Sequence, residues 1–177
     1  MANNCDFNAR VAGKKEDVDK VIAFMNDHYY DYCDVLPSED ESDYEEDVYV
    51  YGTVKWSLVS AWNMDKFKTT MYVKDDTRDE FFDKILQNLE KNRIENPSLL
   101  DIKGDYVLEI FSLESGNGFQ EHYIVKNGEL VIDDARDYRE EWDEEHDVSY
   151  LYGGYRDWKL DFDKDKDIPE WEGETMD

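Results

Sequence analysis

Polar and apolar positions nearly alternate over residues 4–11, which sets Cys5, Phe7, Ala9 and Val11 on one side of a first strand that ends at Gly13. Val18, Val21, Ile22 and Met25 then recur at three-and-four spacing, with Phe24 at the border of the stripe. Glu16, Asp17 and Asp19 crowd the first turn of this helix, where carboxylates suit the positive end of the dipole. Residues 31–47 hold Pro37 and dense carboxylates but no sustained apolar period, so they read as a loop or partly ordered insertion, long for a compact domain. Val48, Val50, Val54, Trp56, Leu58 and Val59 give residues 48–61 strand character, with Gly52 marking a bulge or a close approach.

Phe81, Ile85, Leu86 and Leu89, widened by Phe82, predict a second helix over residues 77–93 that exits through 92–97. Within residues 99–113, Tyr106, Leu108 and Ile110 mark one face of a strand, and Val107 and Phe111 belong to the other. Residues 119–125 and 129–132 pair through Asn127-Gly128, a strong type I′ hairpin signal. Residues 133–147, with Tyr138 and Trp142, fit helical spacing slightly better than an irregular connector, and residues 148–155 and 158–162 retain strand-forming side chains. The order predicts an α+β, ferredoxin-like fold, with two helices on one face of an antiparallel or mixed sheet. Residues 1–132 are expected to form the core with an acidic insertion at 31–47, and residues 133–177 an acidic C-terminal extension packed on it.

Composition changes this picture through charge. The chain has 177 residues, with 46 Asp and Glu against 20 Lys and Arg, for a formal net charge of −26. That length suits one domain, and an apolar fraction of 40% with 15% aromatics separates it from acidic disordered chains. Direct binding to nucleic acid or to an anionic membrane is disfavoured, because the exterior carries the same sign as a phosphate backbone. Cys5 and Cys33 specify neither a disulfide framework nor a zinc site. With no basic-then-apolar leader pattern and no apolar run near the ~20 residues of a spanning helix, the expectation is a soluble, cytoplasmic protein.

The acids are unevenly spread. Residues 27–47 hold ten acids and no Lys or Arg, residues 133–147 nine against two, and residues 157–177 nine against three. Residues 64–104 are nearly balanced, with nine acids and eight bases. A general solubility pressure would spread acids over most exposed faces, so these tracts read as acidic surfaces set on an ordinary fold.

Asn4-Cys5, Gly52-Thr53-Val54-Lys55-Trp56, Ser60-Ala61-Trp62 and Glu114-Ser115-Gly116-Asn117-Gly118-Phe119, followed by Asn127-Gly128, occur in an order that resembles the YubB-like ferredoxin-like domain family of plasmid and phage proteins. The resemblance covers about residues 3–132, and its most specific pieces are the Lys-Trp and Ala-Trp pairs and the Gly-Asn-Gly-Phe turn. Val54 and Asn63 depart from the family pattern. It implies the fold and a mobile-element origin, but no defined reaction.

A search for catalytic motifs is mostly negative. Gly13-Lys14 lacks the repeated glycines of a phosphate loop, and His28, His122 and His146 are isolated, without a zinc-binding helix face. Asp27, Asp31 and Asp34 offer a carboxylate cluster for magnesium, yet a chain this acidic produces such clusters by accident. Asp161, Asp163, Asp165, Asp167 and Glu172 occupy loop positions 1, 3, 5, 7 and 12 of a calcium-binding EF-hand, but Lys166 takes the sharp-turn position that needs glycine, and Pro169 follows. No catalysis, metal or cofactor is expected.

Two acidic arrangements suggest mimicry instead. If extended, Asp161, Asp163, Asp165 and Asp167 project to one face at about 6.7 Å intervals, like a charged polymer. On a helix, Asp133, Asp137, Glu140, Glu141, Glu144 and Glu145 gather on one face beside Trp142. With Glu39, Asp40, Glu41, Asp43, Glu45, Glu46 and Asp47, these residues are the expected partner-binding set, and Tyr29, Tyr30, Tyr32, Tyr44, Tyr150 and Trp158 add aromatic contact area. The resulting expectation is a nucleic-acid mimic that stoichiometrically inhibits a basic DNA- or RNA-binding protein, such as a host restriction or CRISPR complex. The alternative is an acidic adaptor that does not compete with nucleic acid.

Overall fold

The computed structural model describes residues 4–65, 91, 94–114, 118–137, 139–143, 148–152 and 160–163. Strand β1 (Asn4–Gly13) follows the expected alternation, with Cys5, Phe7, Ala9 and Val11 buried on one face. From Ala9 onward both faces of the strand are covered, since Arg10 and Ala12 are buried as well. Helix α1 (Lys15–Asp27) lays Val18, Val21 and Met25 onto that first face, with Ile22 and Phe24 at its margin.

Asp17 ties the start of α1 to the sheet: its carboxylate accepts the Asp105 backbone N–H at 2.8 Å and the Lys20 ammonium at 2.7 Å. The Lys20 hydrogen bond, then the Asp105 N–H, hold the Asp17 carboxyl below its ordinary value of 3.8. A depressed folded-state value contributes stability above the unfolded value and loses it as pH falls through the folded one. Asp17→Asn is therefore expected to lower the urea midpoint at pH 7, and the gap from wild type should close as pH is lowered below 3.8. A gap that stays constant across that range would show that the carboxylate charge is not what holds the helix start.

Strands β2 (Cys33–Pro37) and β3 (Glu46–Lys55) form a hairpin over the acidic segment expected to be a loop or partly ordered insertion. The short run Cys33-Asp34-Val35-Leu36-Pro37 is too brief for a visible period, and β3 supplies the ladder that orders it. Gly52 does mark a close approach: a Cβ there would lie 2.7 Å from the Phe7 ring and from the Tyr32 carbonyl oxygen. The expected strand over 48–61 ends early, at Lys55. Trp56 takes a left-handed φ of 68°, and Ser57 then caps the short helix α2 (Leu58–Ala61) by accepting the Ser60 N–H.

The predicted helix over 77–93 lies outside the described residues except at Lys91, which is helical; Ile94 and Glu95, expected in the exit, are helical too, and the helical backbone ends before Pro97. A 3-10 turn (Leu99–Asp101), capped by Ser98, precedes strand β4 (Tyr106–Glu114). Strands β5 (Phe119–Lys126) and β6 (Glu129–Asp137) flank Asn127 and Gly128, whose φ values of 49° and 69° are the two left-handed positions a type I′ turn requires.

The sheet is antiparallel in the order β2-β3-β1-β4-β5-β6. The β1-to-β2 connection thus passes over the place of β3, and the β3-to-β4 connection passes over that of β1. Its helix-bearing face buries the main core, where Trp62 meets Phe7 edge-on at 4.9 Å.

Among the described residues of 133–147, the expected helix gives way to strand. Strand β6 continues past 132 to Asp137, so the division expected at 132/133 falls inside a strand, and β7 (Arg139–Asp143) pairs with β8 (Val148–Tyr152) in a separate two-stranded sheet. A helix would crowd like charges at three-and-four spacing. The strand instead satisfies the outer edge of β5 and sends neighbouring acids to opposite faces. No helix among the described residues is long and apolar enough to cross a membrane.

Candidate functional site

The face of the sheet away from α1 is organised around Arg10. Its guanidinium donates to both oxygens of Asp47, from Nε at 3.0 Å and from Nη2 at 2.8 Å, while Nη1 donates to the Leu160 carbonyl at 3.0 Å and lies 3.2 Å from Asp40. The Asp47 hydrogen bonds raise the Arg10 pKa above its ordinary value, so the guanidinium keeps its charge. Tyr49, opposite Arg10 on β3, donates its hydroxyl to Asp40 at 2.7 Å. Burial first, then that hydrogen bond, push the phenol up to about 12.

Residues 160–163 lie across this face as a strap. The Phe162 ring sits 4.9 Å from the Arg10 guanidinium and packs on the small cluster of Ala12, Val107 and Ile124, with Tyr44 edge-on at 6.0 Å. The Phe162 N–H donates to Glu109 at 2.7 Å, and the other Glu109 oxygen meets His122 Nε2 at 3.0 Å. Between Tyr49 and the strap lies a groove of about 620 Å³ that includes Asn8, Tyr51 and Phe111.

The expected partner-binding residues separate into groups. Asp47 is held by Arg10, Asp40 by Arg10 and Tyr49, and Glu46 lies 3.4 Å from Lys15. Glu39, Glu41, Asp43 and Glu45 are exposed at the tip of the β2–β3 hairpin, with no ion pair among the described residues. This tip is braced by the Ser38 N–H to Asp47 carbonyl bond at 3.0 Å and the Asp40 N–H to Ser38 hydroxyl bond at 3.2 Å. Asp133 is exposed on β6. Asp137, Glu140, Glu141 and Trp142 have strand backbones, and their side chains lie outside the description, as do those of Tyr150 and Trp158. Glu144, Glu145, Asp165 and Asp167 lie outside the described residues altogether.

The acidic tracts are therefore not joined on one helix face. Nor do Asp161 and Asp163 stand on an extended row: Phe162 adopts a φ of 62° to turn its ring inward, and the Asp163 N–H closes onto the Asp161 carboxylate at 3.2 Å. Among the described residues no three acids, histidines or cysteines group as metal ligands. Tyr29, Tyr30, Tyr32 and Tyr44 are exposed as expected, joined by Trp56, while the Lys55 ammonium caps the Tyr30 ring at 4.1 Å.

A comparison with protein-family models, with curated proteins and with solved structures finds no match to this chain. The chemistry must be read from its own residues.

The buried carboxylates escaped sequence reasoning. Glu121 accepts the Leu58 N–H at 2.8 Å, the Val59 N–H at 3.4 Å, the Ser112 hydroxyl at 2.8 Å and the Tyr123 hydroxyl at 3.1 Å. It stabilises the α2 start, where free N–H groups favour an anion. The Cys5 thiol lies 3.9 Å from the same carboxylate, and burial pushes its pKa up to about 12, so it is an inert core group. The missed signal is an acid inside an otherwise apolar strand, as in Val107-Leu108-Glu109-Ile110.

Proposed function

We propose that this protein is an anionic decoy, a nucleic-acid mimic that stoichiometrically occupies the cationic groove of a DNA- or RNA-binding protein without catalysing a reaction. The observation that carries this reading is the braced hairpin tip, where Glu39, Glu41, Asp43 and Glu45 are exposed without a cationic partner among the described residues, beside exposed Tyr44. Carboxylates on an ordered tip lose less freedom on docking than those on a floppy loop, and a net charge of −26 steers the chain toward basic surfaces. Host defence machinery such as a restriction or CRISPR complex, acting in the cytoplasm, is the target class. The partial order β2-β3-β1-β4, with α1 in its first crossover, supports a ferredoxin-like fold extended by β5 and β6. The resemblance to YubB-like domains and the mobile-element origin it implies rest on the sequence motifs alone.

A second reading, an acidic adaptor that leaves nucleic acid in place, is favoured by β2. This strand is at the edge of the six-stranded sheet and exposes Val35 and Leu36, a template for pairing with another chain.

Competition separates the two. Against a panel of guide-loaded CRISPR effectors and restriction endonucleases holding a fluorescent duplex, the decoy is expected to displace the duplex near one-to-one, less effectively as salt rises. Replacing Glu39, Glu41 and Glu45 with Gln and Asp43 with Asn should weaken displacement by about ten- to a hundredfold with the circular dichroism unchanged. A partner that holds chain and duplex together with undiminished affinity for each would overturn the decoy reading in favour of the adaptor.

A further inference from the structure

The groove beside Arg10 arises from one small residue between large ones. Asn8 faces Tyr51 on β3 and Phe111 on β4, so three side chains in one cross-strand row project from the face away from α1, with the short carboxamide between two aromatic walls. Tyr49 stacks beside Tyr51, their centroids 6.3 Å apart and their planes 18° from parallel. Asp40 and Asp161 complete the lining.

The charge of this groove selects its occupant. Arg10 lies in the wall, yet three of its N–H groups are engaged by Asp47 and the Leu160 carbonyl and it also faces Asp40, so its charge is already countered and it is poorly placed to hold an anion. Among the described residues in and beside it, one guanidinium stands against the carboxylates of Asp47, Asp40 and Asp161, so their balance is negative, on a chain whose overall field repels anions. Aromatic faces, a carboxamide acceptor and flanking carboxylates together suit a planar cation. A guanidinium stacks on such rings while donating in its own plane, whereas an ammonium is a compact, strongly hydrated charge.

We infer that this groove receives the guanidinium of an arginine side chain from a protein partner, stacked on Tyr51 and held at its edges by Asn8, Asp40 and Asp161. The inference rests on the decoy reading and deepens it, because it adds a specific arginine to the unspecific attraction of the hairpin tip.

The test is a titration of the intact protein, observed by NMR of its aromatic side chains and Asn8 carboxamide. The probes are acetyl-Gly-Arg-Gly-amide, its Lys and Gln counterparts, and spermidine. The arginine peptide is expected to give saturable shifts at Tyr51, Phe111 and Asn8, with weaker effects from the lysine peptide and none from the glutamine peptide. Tyr51→Leu should weaken arginine binding by about tenfold, and Tyr51→Phe, which keeps the ring, should retain it. Asp161→Asn should weaken it by about threefold. The backbone amide spectrum of each variant verifies its fold. Equal responses to the arginine and glutamine peptides, spermidine matching arginine at the same resonances, or unchanged affinity in a folded Tyr51→Leu protein would each overturn the inference. Loss of groove binding with duplex displacement intact removes this inference alone, whereas arginine binding without displacement removes the decoy reading.

Discussion

Replacing Glu121 with leucine is expected to lower the unfolding free energy by about 3–5 kcal/mol, seen as a reduced urea midpoint at unchanged slope. Its carboxylate accepts two backbone N–H groups at the start of α2 and the hydroxyls of Ser112 and Tyr123, all closed off from water by the core above β5. A leucine of similar volume fills the space but leaves those donors unsatisfied, and added apolar contact does not offset them. Glu121→Gln should fall between, because its carbonyl oxygen still accepts while its NH2 group meets donors. Tyr123→Phe with Ser112→Ala in the Glu121→Leu background removes the two hydroxyls that donate to Glu121 and should recover part of the loss. A fully stable Glu121→Leu protein would show that the α2 start finds other acceptors.

The second large effect is expected at Arg10. Arg10→Met retains much of the stem but strips Asp47 of both its bonds, leaving a carboxylate whose side chain is 8% exposed without its counter-charge, and a loss of about 3–5 kcal/mol follows. The same change releases the Leu160 carbonyl and the cation above the Phe162 ring, so proteolysis near residues 160–163 should accelerate beyond what global destabilisation gives. Arg10→Lys should recover little, because one ammonium cannot reproduce a two-pronged pair and a third bond to a carbonyl. A double-mutant cycle with Asp47→Asn measures the pair: a coupling near zero would show that Arg10 matters through packing alone.

Both positions show what the sequence discloses and what it hides. The alternation around Phe7, the stripe of Val18, Val21 and Met25, and the Asn127-Gly128 turn were legible because each is a local pattern whose period matches the element it forms. Gly52 was legible as a tight spot for the same reason. Residues 133–137 were misread because their charges repeat at helical spacing, while the deciding influence, the open edge of β5, lies elsewhere in the chain. Carboxylate counting also overstated the exposed set. Asp47 and Asp40 look identical to Glu41 and Asp43 in sequence, and only the fold brings Arg10 against the first two. The groove was hidden too, since Asn8, Tyr51 and Phe111 meet only through strand register.

The tie between Arg10 and Leu160 spans 150 positions, and β1 is flanked by strands that follow it by dozens of residues. During synthesis the first strand therefore emerges with neither neighbour in existence, and both of its hydrogen-bonding edges stay open until β3 and β4 leave the ribosome. Chain topology of this kind slows acquisition of the native state, because distant segments must meet before any contact compensates for the lost chain freedom. Mutual repulsion among nascent acidic chains is then a safeguard for the interval before closure, keeping unfinished copies apart while the central strand is still bare.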